Sequence, residues 1–342
     1  MDKQILVTGA SGYIATQTIL DLLEQGYRVR GTLRSLDKAE HLRNTLRPLS
    51  PMADMLECVE ANLDSDEGWD AAVAGCDYVL HIASPLPSSA PTHPDELIRP
   101  ARNGALRVLK AARRAGVKRV VMTSSIASIS HGYDEDAPPV FTEAHWSKTD
   151  KLKANNAYAK SKTLAEQAAW DFVASEEGKG LELAVINPAV VIGPAFSTDY
   201  STSLQLIVRL LDGKIPALPR LAFSIVDVRD VASAHIRAMT LPEASGKRYI
   251  LSESSLWARE IAQYLRESYP DHANKIPKRE MPDWMVRLGA MFSADLRLIT
   301  PGLGKIRGFS NARMKEELGM SPIPAKTSIS DCADSLIALG VV

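Results

Sequence analysis

Gln4-Ile5-Leu6-Val7-Thr8-Gly9-Ala10-Ser11-Gly12-Tyr13-Ile14-Ala15 decides how this chain is read. Gln4 to Val7 is a short apolar run and predicts a buried strand. From Ile14 to Gln25, the residues Ile14, Thr18, Leu22 and Leu23 share one helical face. A glycine turn joins the two. Strand, glycine turn and helix are the context of a dinucleotide-binding unit. Gly9 permits the tight turn. Gly12 lets the backbone approach a pyrophosphate, with Ser11, Tyr13 and Ile14 around it. Ala15 is small enough for the helix to pack on the strand. Free N–H groups at the helix start then face the phosphates. The spacing is GxxGxxA rather than GxGxxG.

Length and composition narrow the class. A chain of 342 residues buries a sizeable core, as one large domain or two joined ones. Its net charge of −1 offers no general attraction to nucleic acid or an anionic membrane. Cys58, Cys76 and Cys332 are scattered and form neither a CxxC nor a Cys/His cluster. No metal site and no disulfide framework is therefore expected, and reduced thiols suit a cytoplasmic protein. The chain enters its first strand almost at once, so no signal peptide is expected. No apolar run reaches the roughly 18 residues that a membrane helix needs.

Tyr27 to Leu33 is the second expected strand, ending at Arg34. In a Rossmann unit this strand end meets the adenosine ribose, where an acidic residue would select NAD. Arg34, with Lys38 four residues on, instead suits the 2′-phosphate of NADP, since a guanidinium pairs bidentately with phosphate. Met55 to Ala61 and Asp77 to Ala83 are the next strands. Carboxyl ends of such strands face the ligand crevice, so Ala83 and Ser84 are expected to line the cofactor. His81, mid-strand among apolar residues, reads as a core or loop-bonding histidine. Pro94 to Ala115 is a long helix with Leu97, Ala101, Leu106, Val108, Leu109 and Ala112 inward. Lys118 to Met122 opens into Thr123-Ser124-Ser125, hydroxyls that end a central strand beside the nicotinamide. Period-two alternation sends Ser124 and Ser125 to opposite sides, so only one can be the site residue.

Asn155 to Ala174 is a helix on which Tyr158 and Lys162 stand four apart, on one face. A phenol with a pKa of about 10 is a poor acid near neutrality, and a nearby ammonium lowers it. Such a phenol can protonate a carbonyl oxygen, and a serine hydroxyl beside it can stabilise that oxygen.

The chain resembles the extended short-chain dehydrogenases/reductases, in particular the dihydroflavonol 4-reductase, cinnamoyl-CoA reductase and methylglyoxal/aldehyde reductase group. The resemblance rests on Thr8 to Ala15, Arg34, Gly75-Cys76, Thr123-Ser124-Ser125, Tyr158 to Trp170, Asn187-Pro188, Gly193-Pro194 and Val226 to Val231. It covers about residues 4 to 250 and thins beyond. It implies that YxxxK is the catalytic signature, with Ser125, Tyr158 and Lys162 catalytic and Lys162 also on the nicotinamide ribose. It implies that Asn62-Leu63 meets the adenine, where relatives carry Asp-Leu. Pro188 follows the sixth strand on the cofactor side, Ala189-Val190 pass under the carboxamide, and Ser203 lies by the adenosine-side phosphates. Relatives place an asparagine near Ala101, so Asn103 receives no catalytic role. Asp227 and Asp230 read as helix caps.

The expectation is an α/β Rossmann fold: a doubly wound parallel sheet with a smaller, discontinuous C-terminal lobe. Residues 1–190, with 222–251 returning, form the NADP-binding part. Residues 191–221 and 252–342 form the substrate lobe, in which Met285, Leu288, Met291 and Phe292 read as core. The function expected is NADPH-dependent reduction of an aldehyde or ketone, by a monomer or homodimer with a small-molecule carbonyl substrate. The alternatives are an NAD-dependent nucleotide-sugar epimerase/dehydratase and a non-catalytic NADP-sensing regulator. The first prefers an acid at Arg34 and, for dehydratases, an Asp-Glu pair where Ile126-Ala127 stands. The second commonly lacks the tyrosine/lysine pair.

Overall fold

A computed structural model describes residues 3–85, 93–134, 136–152 and 156–342. The first half alternates strand and helix: β1 (Gln4–Val7), α1 (Tyr13–Glu24), β2 (Arg28–Leu33), α2 (Ala39–Leu46), β3 (Glu57–Glu60), α3 (Trp69–Val73), β4 (Tyr78–His81), α4 (Asp95–Arg114) and β5 (Arg119–Thr123). A short β6 (Val140–Phe141) precedes α5 (Ala157–Ala174), β7 (Glu182–Pro188) and β8 (Val190–Ile192). Then come α6 (Gln205–Leu211), β9 (Leu218–Pro219), β10 (Ala222–Asp227), α7 (Val228–Thr240), β11 (Arg248–Leu251), β12 (Ser254–Trp257) and α8 (Ala258–Ser268). The chain finishes with β13 (Glu280–Met281), α9 (Asp283–Gly289), α10 (Ala294–Ile299), β14 (Gly308–Phe309), α11 (Ala312–Glu316) and α12 (Ala325–Ala338). The expected helix start at Asn155 lies outside the described residues.

Seven strands form one parallel sheet in the order β11-β7-β5-β4-β1-β2-β3. Both of its faces are covered, as the continuous apolar runs require. Ile5 and Val7 pack with α1 and α7 on one face, while Leu6 packs with α3, α4 and α5 on the other. That is the period-two alternation of a strand buried on both sides. The strand order reverses between β1 and β4, and the carboxyl ends beside that reversal leave a crevice.

A second sheet, β12-β10-β8, anchors the C-terminal lobe. Residues 222–227 therefore belong to this small sheet, where Ile225 pairs with Val190. The chain returns to the large sheet only from α7 onward, not at residue 222 as expected. Leu256 and Trp257 pair with β10, and α8 begins at Ala258. The C-terminal helix α12 was not anticipated, although Ile329, Cys332, Ala333 and Leu336 carry its period and are fully buried. The apolar stripe of α9 is a correction. Met285, Leu288, Met291 and Phe292 are 44%, 54%, 69% and 86% exposed. Val286 and Ala290 are the residues that face the lobe, so the helix is turned with its stripe outward.

Candidate active site

The glycine turn closes as its residues dictate. Gly9 adopts φ +67, and a Cβ there would lie 3.0 Å from the Ala83 Cβ. Gly12 N–H donates to Gly9 O at 2.9 Å, and α1 begins at the next residue. No side chain caps this helix, which leaves its first N–H groups directed at the crevice. Thr8 Oγ1 bridges His81 Nδ1 (2.9 Å) and Ala83 N (3.0 Å), tying β1 to β4 at the crevice floor. His81 is buried, and desolvation pushes its pKa down to about 3. It is a core histidine.

At the β2 end, Arg34 is exposed and lines the crevice. Among the described residues it makes no ion pair or side-chain hydrogen bond. Asn62 Oδ1 accepts from Asp64 N at 3.1 Å, closing an Asx turn that leaves one lone pair for another donor. Asp64 lines the same wall and was missed.

At the β5 end the hydroxyls separate as alternation requires. Ser125 Oγ accepts from Ala127 N at 3.1 Å, lines the same crevice as Tyr158 and lowers the pKa of that phenol. Ser124 Oγ points the other way, to Glu166 Oε2 at 2.5 Å. Thr123 is committed twice. Its carbonyl accepts from Lys162 Nζ at 3.4 Å, and its hydroxyl lies 2.6 Å from His235 Nε2. His235 Nδ1 lies 2.7 Å from Val231 O, which can only accept. The proton is thereby assigned to Nδ1, and Nε2 accepts from Thr123. Burial pushes His235 down to about 4.

Tyr158 stands 41% exposed on the crevice wall. Desolvation raises its pKa and the Ser125 hydrogen bond pulls it back, so the phenol is protonated at neutral pH. Lys162 is 6% exposed, and burial pushes its pKa down to about 8 against the pull of Glu166.

One crevice of about 620 Å³ unites these parts. Gly9, Ser11, Gly12, Tyr13, Ile14, Arg34, Asn62, Leu63, Ala83, Ser84, Thr123, Ser125, Tyr158, Lys162, Pro188 and Ser203 all line it. Two expected residues do not. Lys38 is exposed on the turn 36–38, beyond the Arg34 rim. Of the expected pair Ala189-Val190, Ala189 lines the crevice, while Val190 packs against the C-terminal lobe core, because alternation at the start of β8 turns it away and brings Val191 to the crevice. Glu96, Leu97 and Pro100 of α4 and Ser201 also line it, unforeseen, since no local motif marks them, and Ser124 reaches the lining too although its hydroxyl turns to Glu166. Among the described residues no group of His, Cys, Asp or Glu is placed to hold a metal.

Comparison with known proteins meets the same geometry. The model of the NAD dependent epimerase/dehydratase family matches residues 5–252. The chain belongs to this family. Within it, the chain is 39% identical to cinnamoyl-CoA reductase 1 of Arabidopsis thaliana over 271 residues, which is 79% of this chain and 76% of that one. It is 35% identical to cinnamoyl-CoA reductase 1 of Petunia hybrida over 97% of this chain and 91% of the relative. Among solved structures, yeast methylglyoxal/isovaleraldehyde reductase Gre2 complexed with NADPH superimposes with a TM-score of 0.82 at 28% identity. That match covers 99% of this chain and 100% of the yeast chain.

Proposed function

We propose that this protein reduces an aldehyde or ketone to an alcohol with NADPH. The observation that carries this reading is one crevice lined by Ser125, Tyr158 and the buried Lys162, together with the glycine turn and Arg34. The crevice fits a dinucleotide on its own terms. A Cβ at Gly9 would fill the turn, the start of α1 has no side-chain cap, and Arg34 at the rim is engaged by no side chain among the described residues. The yeast relative is complexed with NADPH, and the plant relatives are reductases. The nucleotide-binding part is residues 1–190 with the return from α7 to β11, and the remainder is the substrate lobe. Three free thiols accord with a cytoplasmic setting.

A dinucleotide bound here would supply hydride for the carbonyl carbon. Gly9, Gly12 and the N–H groups of α1 would hold its pyrophosphate. Arg34 would pair with the 2′-phosphate. Tyr158 gives its phenolic proton to the carbonyl oxygen, and Ser125 Oγ donates a second hydrogen bond to that oxygen. Lys162, mostly charged at pH 7 with a pKa of about 8, offsets the phenolate left behind. The phenolate regains its proton from solvent through the open crevice. An epimerase/dehydratase reading fits less well, because Arg34 stands where an acid selects NAD and Ile126-Ala127 follow Ser125.

The test is a panel of aromatic and aliphatic aldehydes and ketones, followed by the loss of NADPH absorbance. Turnover with NADPH supports the reading. Purified protein carrying tightly bound NAD, inert to the whole panel, overturns it.

A further inference from the structure

Carbonyl reduction by Ser125, Tyr158 and Lys162 leaves one fully buried acid without a task. Glu166 stands four residues beyond Lys162 on α5 and is 0% exposed. Its Oε2 gathers Ser124 Oγ (2.5 Å), Ser128 Oγ (2.7 Å) and Asn187 Nδ2 (2.9 Å). Its Oε1 accepts from Arg248 Nε of β11 at 2.5 Å. Arg248 is itself buried, donates to the carbonyls of Glu143 and His145 at 2.8 and 2.9 Å, and lies 3.7 Å over the Trp146 ring. A buried ion pair is weak evidence of stabilisation, because desolvation offsets the attraction. A role other than stability is therefore the more economical explanation.

That role is visible in what else these partners touch. Ser128 Oγ lies 2.8 Å from Ser125 O, so its one hydroxyl hydrogen is shared between that carbonyl and Glu166. Asn187 Nδ2 reaches the same carbonyl at 3.4 Å. We propose that Glu166 is a positioning residue: through Ser128 and Asn187 it fixes the Ser125 backbone, and with it the Ser125 hydroxyl against Tyr158. Through Arg248 the same carboxylate ties down residues 143–146. The catalytic serine and this neighbouring loop are thus set by one acid. The inference rests on the carbonyl-reductase reading.

Glu166 also acts on Lys162. The titratable groups around that ammonium are His81 on β4, His235 on α7 through Thr123, and Tyr158 and Glu166 on its own helix. Both histidines are neutral at pH 7, so Glu166 is the charge among them that favours the ammonium. Without it, Lys162 loses its proton at lower pH.

The experiment first establishes wild-type turnover of an aldehyde with NADPH. Inertness at that stage sinks the reductase reading itself, whatever the role of Glu166. Given turnover, Glu166→Gln keeps the side-chain shape and removes the charge. The result expected is kcat down about tenfold or more, KM for NADPH little changed, and the alkaline limb of the kcat–pH profile moved to lower pH. Because Arg248 is left unbalanced and this variant can fail to fold, Ser128→Ala is the second arm. It keeps the Glu166–Arg248 pair and removes the shorter of the two links to Ser125, leaving only the 3.4 Å Asn187 contact, so kcat falls while the pH limb stays in place. NADPH binding by fluorescence verifies folding in each arm. Wild-type kcat in folded Ser128→Ala overturns the proposal. So does a folded Glu166→Gln with wild-type kcat and an unmoved alkaline limb.

Discussion

Arg34→Ser removes the guanidinium to which the proposed reading assigns the cofactor preference. Arg34 is exposed at the crevice rim, and among the described residues no carboxylate competes for it. A hydrogen bond to a charged group is worth about 1.5–3 kcal/mol, and the bidentate phosphate pair is the strong form. At about 1.4 kcal/mol per factor of ten, the variant should lose about 10- to 100-fold in kcat/KM with NADPH. NADH has no 2′-phosphate, so its kcat/KM should barely move. The loss should shrink as salt rises, because an exposed pair is screened over about 10 Å at 0.1 M. Stability should stay within about 0.5 kcal/mol of wild type, as for other surface substitutions. The assay is steady-state kinetics with both cofactors at two ionic strengths, beside a thermal melt. Lys38→Ala is the internal control, since that side chain lies outside the crevice lining, and it should leave the cofactor ratio unchanged. An unchanged NADPH-to-NADH ratio in Arg34→Ser refutes the reasoning.

Gly9→Ala places a Cβ 3.0 Å from Ala83 at φ +67, and should cost more than about 1 kcal/mol by urea melting and weaken NADPH binding. Arg248→Met leaves Glu166 buried without its cation and should cost about 3–5 kcal/mol, whereas the double variant Glu166→Gln/Arg248→Met should recover much of that in the same melt. The buried histidines His81 and His235 give a pH signature: their folded values, about 3 and about 4, lie below the ordinary 6.5 of an unfolded histidine. Between these limits the unfolded chain binds more protons, so each contributes stability that is full above pH 6.5 and lost as pH falls, by up to about 1.4 kcal/mol per unit. Asp21 and Asp230, raised by burial to about 6, act in the opposite sense, so the test is a difference: His235→Gln should flatten the acid limb of a urea-stability series from pH 7 to pH 5.

What could be read from the chain alone was what local spacing encodes. A strand, a glycine turn and a helix occupy contiguous residues, so the strand–turn–helix unit was legible from Gln4 to Ala15. Tyr158 and Lys162 are four apart, and helical geometry alone puts them on one face. The Ser124/Ser125 ambiguity was stated by alternation, but only packing decided it, because the acid that claims Ser124 lies 42 residues away. The supporting bonds were invisible for the same reason. Thr123 and His235 are 112 residues apart, and Glu166 and Arg248 are 82 apart. No period or motif joins such pairs. Of Ala189-Val190 only Ala189 lines the crevice, because β8 pairs in the small sheet and the side it presents depends on that neighbour. The outward stripe of α9 shows that a periodic apolar face tells which residues travel together, not which way the helix is turned.

The most direct measurement is kcat for NADPH-dependent aldehyde reduction by Tyr158→Phe, alongside NADPH binding by the same protein. Loss of the phenolic proton should lower kcat by about 10²–10⁴-fold while leaving cofactor affinity close to wild type. Full turnover by a folded, NADPH-binding Tyr158→Phe would contradict the assignment of Tyr158 as the proton donor, and with it the mechanism built on this crevice.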